Sequence, residues 1–178
     1  MKGGCFILST HVGCIEVLPA LRQTEGTAGP TPKVNAFQQL GHNPLFTEFF
    51  LKYLDPRQLT LHAVENVGVE TAVEMKAAID RGEIVLMAAD RLSAGSNAVL
   101  KHKFFGRDCR WPKGVFRFAR LMECPVYAVA AVNTGWNEYE VVAERLEGDL
   151  LDGYTAFLER IALSHPHQWY HFFPFFGR

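Results

Sequence analysis

The chain lacks the features of several large classes of protein. It has no apolar run of the roughly 18 to 20 residues that a helix needs to cross a bilayer, and no signal-peptide pattern follows Met1. Its 18 basic and 19 acidic residues give a formal net charge of −1 over 178 residues, so no overall positive field points to nucleic acid. None of the four cysteines stands in a C-x-x-C pair, which favours reduced thiols and a cytoplasmic location. We therefore expect any contact with a membrane to be peripheral.

Short apolar runs alternate with helical patterns along most of the chain. Strands are predicted at residues 4–9, 34–38, 59–64, 84–89, 99–105, 125–132 and 137–145. Helices are predicted at residues 15–21, 44–53, around 72–79, at 112–122 and at 154–161. This order predicts an α/β fold, with a single layered domain over residues 1–178, a mostly parallel central sheet and helices on both faces.

A histidine and a carboxylate follow the first predicted strand. The segment from His11 to Glu16 begins just beyond residues 4–9, at the end of a strand where open α/β sheets bind ligands. Gly13 would let the backbone pass close to a substrate, and Glu16, in the first turn of the next helix, could accept a hydrogen bond from the imidazole. A neutral imidazole held in one tautomer by a carboxylate is a general base, which needs no serine or cysteine if the substrate carries the hydroxyl. The structural alternative is that His11 bonds to backbone and Glu16 complements the helix dipole.

Asp90 and Arg91 follow the predicted strand at residues 84–89. Because the carboxyl ends of parallel strands share one edge of the sheet, we expect Asp90, His11 and the residues after Val132 to gather there. Arg91 could clamp a phosphate or a carboxylate, whereas Asp90 could instead only cap a turn.

A basic, aromatic segment comes next. Residues 101–113 carry one carboxylate and five cations: Lys101, Lys103, Arg107, Arg110 and Lys113. Such local asymmetry suggests an anionic partner, either a phosphorylated lipid, a phosphopantetheine arm, an acidic carrier protein or a single nucleic-acid strand, although a solvated surface loop is the common alternative. The aromatic end, residues 169–176, should either pack onto the core or meet a partner or membrane. The spacing of His165, His167 and His171 matches no zinc pattern, so we expect no metal.

Taken in order, these blocks resemble the bacterial lipid A and glycolipid acyltransferase family, the lauroyl- and myristoyl-transferase branch of the lysophospholipid acyltransferase superfamily. The His-x-x-x-x-Asp/Glu motif of that family is matched by His11-Val-Gly-Cys-Ile-Glu16. Further matches are Arg81-Gly-Glu-Ile-Val85 leading to Asp90, Phe104-Phe105-Gly106, Phe118-Ala119-Arg120-Leu121, Pro125-Val126 and Pro166-His-Gln-Trp169. Arg91 departs from the pattern, because the family more often has Gln there. Members also usually begin with a membrane-anchoring helix, so the chain is N-terminally short relative to the family.

The resemblance implies an O-acyltransferase acting on a glycolipid or lipid A-like acceptor. His11 would deprotonate the acceptor hydroxyl, Glu16 would orient His11, and the hydroxyl would attack an acyl thioester on the phosphopantetheine of acyl carrier protein, with no other cofactor. The implied substrate-binding residues are Thr10, Gly13, Asp90, Arg91, Lys101, Lys103, Phe105, Gly106, Arg107, Arg110 and Lys113. The implied partners are acyl carrier protein, the glycolipid and the cytoplasmic face of the inner membrane, without nucleic acid. A thioester hydrolase and a non-catalytic module that binds anionic lipid or carrier protein stay open as alternatives.

Overall fold

The computed structural model describes residues 3–15, 32–39, 57–92, 97–136, 138–171 and 175–176. The strands within these ranges are β1 (Cys5–Gly13), β2 (Val34–Gln38), β3 (Leu59–Ala63), β4 (Ile84–Ala88), β5 (Val99–Phe104), β6 (Arg107–Pro112), β7 (Val126–Gly135) and β8 (Glu138–Leu146). The helices are α1 (Val69–Asp80), α2 (Lys113–Leu121) and α3 (Leu150–Ser164). The helices predicted at residues 15–21 and 44–53 lie outside the described residues. None of the helices described here is long and apolar enough to cross a membrane.

Six of these strands form one sheet in the order β3-β2-β4-β1-β7-β8. All neighbouring pairs are parallel except β7 with β8, which runs antiparallel at the edge. The prediction of an α/β fold with a mostly parallel sheet is therefore confirmed. The sequence-predicted strands at residues 34–38, 59–64, 84–89, 125–132 and 137–145 correspond to β2, β3, β4, β7 and β8.

One face of the central strands forms the apolar core. Phe6 and Leu8 of β1 and Val85 of β4 are completely buried, and α2 packs on this face through Phe118. The Phe118 ring meets the ring of Phe6 edge-on, with a centroid distance of 5.9 Å. Because β1 and β4 pair side by side, residues at their carboxyl ends can contact each other.

The first strand is longer than the sequence predicted. The prediction ended it at residue 9, but β1 continues through His11 to Gly13 because Thr10 and Val12 are still buried. Its pairing with β7 shifts between Ser9 and Gly13, so residues 10–12 form a bulge. His11 therefore lies within an irregular strand end and not in a loop after the strand.

The basic segment is a β-hairpin: the strand predicted at residues 99–105 is confirmed as β5, whereas residues 107–112, for which no strand was predicted, form β6. β5 and β6 pair antiparallel as a separate two-stranded sheet, and the connecting residues Phe105 and Gly106 have φ angles of 49° and 73°. Two consecutive residues with positive φ are typical of a tight type I′ hairpin turn. Phe104, Cys109 and Trp111 are buried on the inner face, which attaches the hairpin to the core.

The last helix runs toward the carboxyl ends of the strands. Asp149 caps its start by accepting hydrogen bonds from the N–H groups of Leu151 and Asp152, at 2.8 and 3.2 Å. The predicted apolar face is confirmed, since Tyr154, Phe157, Leu158 and Ile161 are all buried. From its last turn the chain continues into a short 3₁₀ turn at Pro166–Gln168, which lies at the edge of the sheet that holds His11.

Candidate functional site

The carboxyl ends of β1 and β4 bring His11 and Asp90 into contact. Asp90 Oδ1 lies 2.6 Å from Nδ1 of the imidazole, and Asp90 Oδ2 accepts the main-chain N–H of His11 at 2.8 Å. The two residues are 79 positions apart in the sequence, and they meet because β1 and β4 are adjacent parallel strands. One carboxylate therefore holds both the ring and the backbone of His11.

Asp90 is fully enclosed, with no exposure of its side chain. Burial by itself raises the pKa of this carboxyl, but hydrogen bonds from the ring and the main chain of His11, with the charge interactions of His11 and Arg91, outweigh it and lower the pKa. Asp90 is therefore ionised at neutral pH. The sequence analysis placed Asp90 among substrate-binding residues, whereas in the structure its carboxylate serves the imidazole.

The contact with Asp90 decides the tautomer of His11. An ionised carboxylate can only accept hydrogen bonds, so Nδ1 carries the hydrogen and Nε2 of the neutral ring carries the lone pair. The His11 side chain is 32% exposed, and Nε2 has no hydrogen-bond partner among the described residues. In that part of the chain no serine, threonine or cysteine is paired with the ring. The arrangement leaves Nε2 able to accept a proton, as a general base must.

Tyr154 of α3 supports this part of the sheet from the core. Its hydroxyl donates to the carbonyl of Ser9 at 2.8 Å, two residues before His11. Burial, with the nearby Asp90 carboxylate, raises the pKa of Tyr154 well above its usual value, so the hydroxyl stays protonated. The sequence analysis identified Tyr154 only as a core residue, because an apolar stripe does not reveal where a hydroxyl points.

Residues 165–171, which we call the strap, cross the strand ends beside His11. The Gln168 side chain is paired with the backbone of Asn133 in β7, and Trp169 forms an antiparallel bridge with Val12. The Tyr170 N–H donates to the carbonyl of His11 at 3.1 Å. The Tyr170 carbonyl in turn accepts a hydrogen bond from the Arg91 guanidinium. The predicted Pro-x-x-Trp motif thus lies at the site, but the sequence analysis did not single out Gln168.

The other predicted residues near His11 have different outcomes. Glu16 lies outside the described residues, so its contact with His11 stays a prediction. Thr10 is buried, and its hydroxyl accepts the N–H of Val12 at 3.1 Å within the bulge. Gly13 has a φ of 74°, and a Cβ atom there would lie 1.9 Å from the carbonyl of Ala131. Gly13 therefore allows β1 to approach β7, and the predicted approach of this backbone to a substrate is untested.

The five cations of the basic segment, residues 101–113, do not all face the same way. Lys101 and Arg110 stand directly opposite each other on its exposed face, as do Lys103 and Asp108. The guanidinium of Arg107 lies over the ring of Phe176, 4.4 Å from its centroid, and Lys113 begins α2. Phe105 and Gly106 form the turn. Among the described residues none of the five cations forms an ion pair with a carboxylate, so the exposed face keeps a positive charge.

A second His–Asp pair provides an internal comparison. Nε2 of His102 lies 2.8 Å from Asp152, and its Nδ1 lies 2.7 Å from the carbonyl of Lys103. Both ring nitrogens are therefore occupied, and Asp152 is 69% exposed. This pair ties the hairpin to α3, and it lacks the open nitrogen that distinguishes His11.

The aromatic end packs onto the protein where it is described. Phe175 and Phe176 contact the ring of Phe104, with centroid distances of 5.2 and 6.2 Å, and Phe175 also contacts Trp169. Of the two possibilities left open by the sequence, these two residues follow the packed one. Residues 172–174 lie outside the described part of the chain.

The described residues contain no group of three or more His, Cys, Asp or Glu side chains placed to hold a metal ion. A scan of the chain against protein-family models finds no match, and a search of curated proteins finds none either. The resemblance in the motifs is therefore the basis for a proposal, and the geometry of His11 and Asp90 stands independently of it.

Proposed function

We propose that the chain is an O-acyltransferase that moves a fatty acyl group from an acyl carrier protein thioester to a hydroxyl of a glycolipid or lipid A-like acceptor. It would act as one layered domain, with helices on both faces of the sheet, at the cytoplasmic face of the inner membrane. The observation that carries the proposal is the His11–Asp90 pair, with Nδ1 held by a buried carboxylate and Nε2 open.

The proposed reaction uses that geometry. Nε2 of His11 takes the proton of the acceptor hydroxyl as its oxygen attacks the thioester carbon. Asp90 stabilises the positive charge that forms on the imidazole. The tetrahedral intermediate collapses with cleavage of the carbon–sulfur bond, and the leaving thiolate takes the proton back from Nε2. The products are the acyl ester and the free phosphopantetheine thiol, so no further reactant is required.

Two surfaces support the choice of partners. The Arg91 guanidinium, which contacts the Tyr170 carbonyl of the strap, puts a cation at the edge where an anionic or carbonyl group of the substrate would lie. The exposed cations of the hairpin would attract acyl carrier protein or an anionic membrane surface. Water in place of the acceptor hydroxyl would turn the same base into a thioester hydrolase.

Single-turnover assays with acyl carrier thioester, with and without glycolipid acceptor, test the proposal. Acyl transfer that requires the acceptor, and that His11→Ala abolishes, is the expected result. His102→Ala is the matched control, because it removes the histidine whose ring nitrogens are both occupied. Hydrolysis without transfer would favour the hydrolase, and absence of any reaction in folded protein would favour a binding module.

A further inference from the structure

Gln168 joins the strap to β7 through two hydrogen bonds. Its Oε1 accepts the main-chain N–H of Asn133 at 2.8 Å, and its Nε2 donates to the carbonyl of Asn133 at 2.8 Å. A side-chain amide has the same donor and acceptor as a peptide group, so it can pair with a strand as a neighbouring strand would. Only 5% of Gln168 is exposed, although it lies in a short turn at the edge of the sheet.

Gln168 lies alongside β7 just beyond the point where β1 ends. Up to residue 15, where the described part of this segment ends, the last hydrogen bond from it to β7 is from the Cys14 N–H to the carbonyl of Ala131, at 2.8 Å. Asn133 comes two residues later in β7, so its main-chain groups point to the same side. Gln168 therefore continues the pairing of β7 in the position that β1 has left.

This pairing sets the position of the backbone of His11. No register pair joins β1 to β7 between Ser9 and Gly13, so the bulge does not hold His11 by regular pairing with β7. Its main-chain N–H goes to Asp90, and its carbonyl accepts the N–H of Tyr170. Tyr170 is placed by the strap, and the strap is fastened to β7 two residues earlier by Gln168.

We propose that Gln168 is a positioning residue for His11, an inference that rests on the proposed function for its kinetic consequence. By fastening the strap, Gln168 keeps Tyr170 against the carbonyl of His11 and so keeps Nε2 of His11 directed at the substrate. A displacement of about 1 Å in a reacting group can cost roughly 100-fold in rate. The residue itself touches no reacting atom.

The test removes the two hydrogen bonds of Gln168 and keeps the volume of its side chain nearly unchanged. Gln168→Met keeps the length of the side chain but removes both hydrogen bonds with the main chain of Asn133. A second, independent variant is Tyr170→Pro, because proline lacks the main-chain N–H that donates to the carbonyl of His11. Its control is Tyr170→Phe, which keeps that N–H. The measurements are the single-turnover rate, the KM and the NMR signal of the hydrogen on Nδ1 of His11, with circular dichroism to verify folding.

We expect Gln168→Met and Tyr170→Pro to lower the rate roughly 10- to 100-fold and to weaken the Nδ1 signal through faster exchange, while Tyr170→Phe matches wild type in both. If both variants fold and keep the wild-type rate and signal, Gln168 does not position His11. If Gln168→Met does not fold, Tyr170→Pro decides between the same two results. The NMR signal needs no acyl donor, so a wild type without transferase activity would refute the proposed function and leave the positioning role to be judged by the signal.

Discussion

Replacement of Asp90 by Asn is the sharpest test of the candidate site, because it removes a charge and changes almost no volume. The carboxylate accepts two hydrogen bonds from His11, at 2.6 Å from the ring and 2.8 Å from the backbone. An amide offers one oxygen and one NH₂ group, so it can satisfy both partners only if the ring changes tautomer. The oxygen would then take the backbone N–H of His11, and the NH₂ group would donate to Nδ1.

In that arrangement Nε2 carries the hydrogen and His11 is no longer a base. Loss of a positioned general base costs about 100- to 10,000-fold in rate, which corresponds to about 2.7 to 5.5 kcal/mol of transition-state stabilisation. We expect Asp90→Asn to reduce single-turnover acyl transfer by this factor while the protein stays folded. The matched control is Asp152→Asn, which changes the exposed carboxylate of the other His–Asp pair and should leave the rate unchanged. A folded Asp90→Asn protein with the wild-type rate would refute the assignment of His11 as the base.

The same variant has a signature in stability. The pKa of Asp90 is lower in the folded protein than in an unfolded chain, so ionised Asp90 stabilises the fold above the unfolded pKa of about 4. This contribution is lost as the pH falls through the lower, folded pKa. The free energy of unfolding of wild type should therefore fall relative to that of Asp90→Asn when the pH is lowered below about 4, as measured by urea titration. A constant difference across this range would contradict the pKa assignment.

Three further changes have defined outcomes. Gly13→Ala forces a side chain into a backbone with positive φ and against the β7 backbone, so urea unfolding should report a loss of more than about 1 to 3 kcal/mol. Arg110→Glu puts an acidic residue opposite Lys101, and it should weaken binding to anionic vesicles or carrier protein by roughly 30-fold. The affinity of the wild type should fall as the salt concentration rises. The control is Arg145→Glu, which makes the same change of charge on β8. If Arg145→Glu and Arg110→Glu weaken binding equally, the hairpin has no specific role in binding. Tyr154→Phe removes one buried hydrogen bond and should lower the free energy of unfolding by about 0.5 to 1.5 kcal/mol. Above about pH 10 the unfolded wild-type chain loses the Tyr154 proton while the folded protein keeps it, which lowers stability, and Tyr154→Phe should remove this fall.

The sequence predicted the edge of the sheet that carries the site, but not the direct contact between His11 and Asp90. Alternating apolar runs and helical patterns indicate a parallel sheet, and strand direction alone then places His11 and Asp90 at the same edge. The choice of Glu16 as the partner of His11 rested on closeness in sequence. The contact with Asp90 depends on β4 lying beside β1, and this strand order involves packing between distant segments, such as Phe118 of α2 against Phe6 of β1 and Phe37 of β2.

The second strand of the hairpin and its turn were missed for a different reason. In β6 the buried residues Cys109 and Trp111 alternate with exposed ones, which is a strand pattern, but the density of charge suggested a loop. The turn gave no local signal, because a phenylalanine rarely adopts a positive φ, and Phe105 does so ahead of Gly106. Packing of Phe104 and Trp111 against Tyr154 and Trp169 outweighs that local preference.

The position of His11 in a bulge explains why the site needs three distant parts of the chain. In a regular strand one neighbouring strand would pair with both main-chain groups of His11. In the bulge Asp90 at the end of β4 takes the N–H, and Tyr170 of the strap takes the carbonyl. The imidazole is thus placed by segments from the start, middle and end of the sequence. These contacts contribute little to stability compared with the buried core. A substitution that removes one of them should therefore lower the rate of the proposed acyl transfer while changing the melting temperature little.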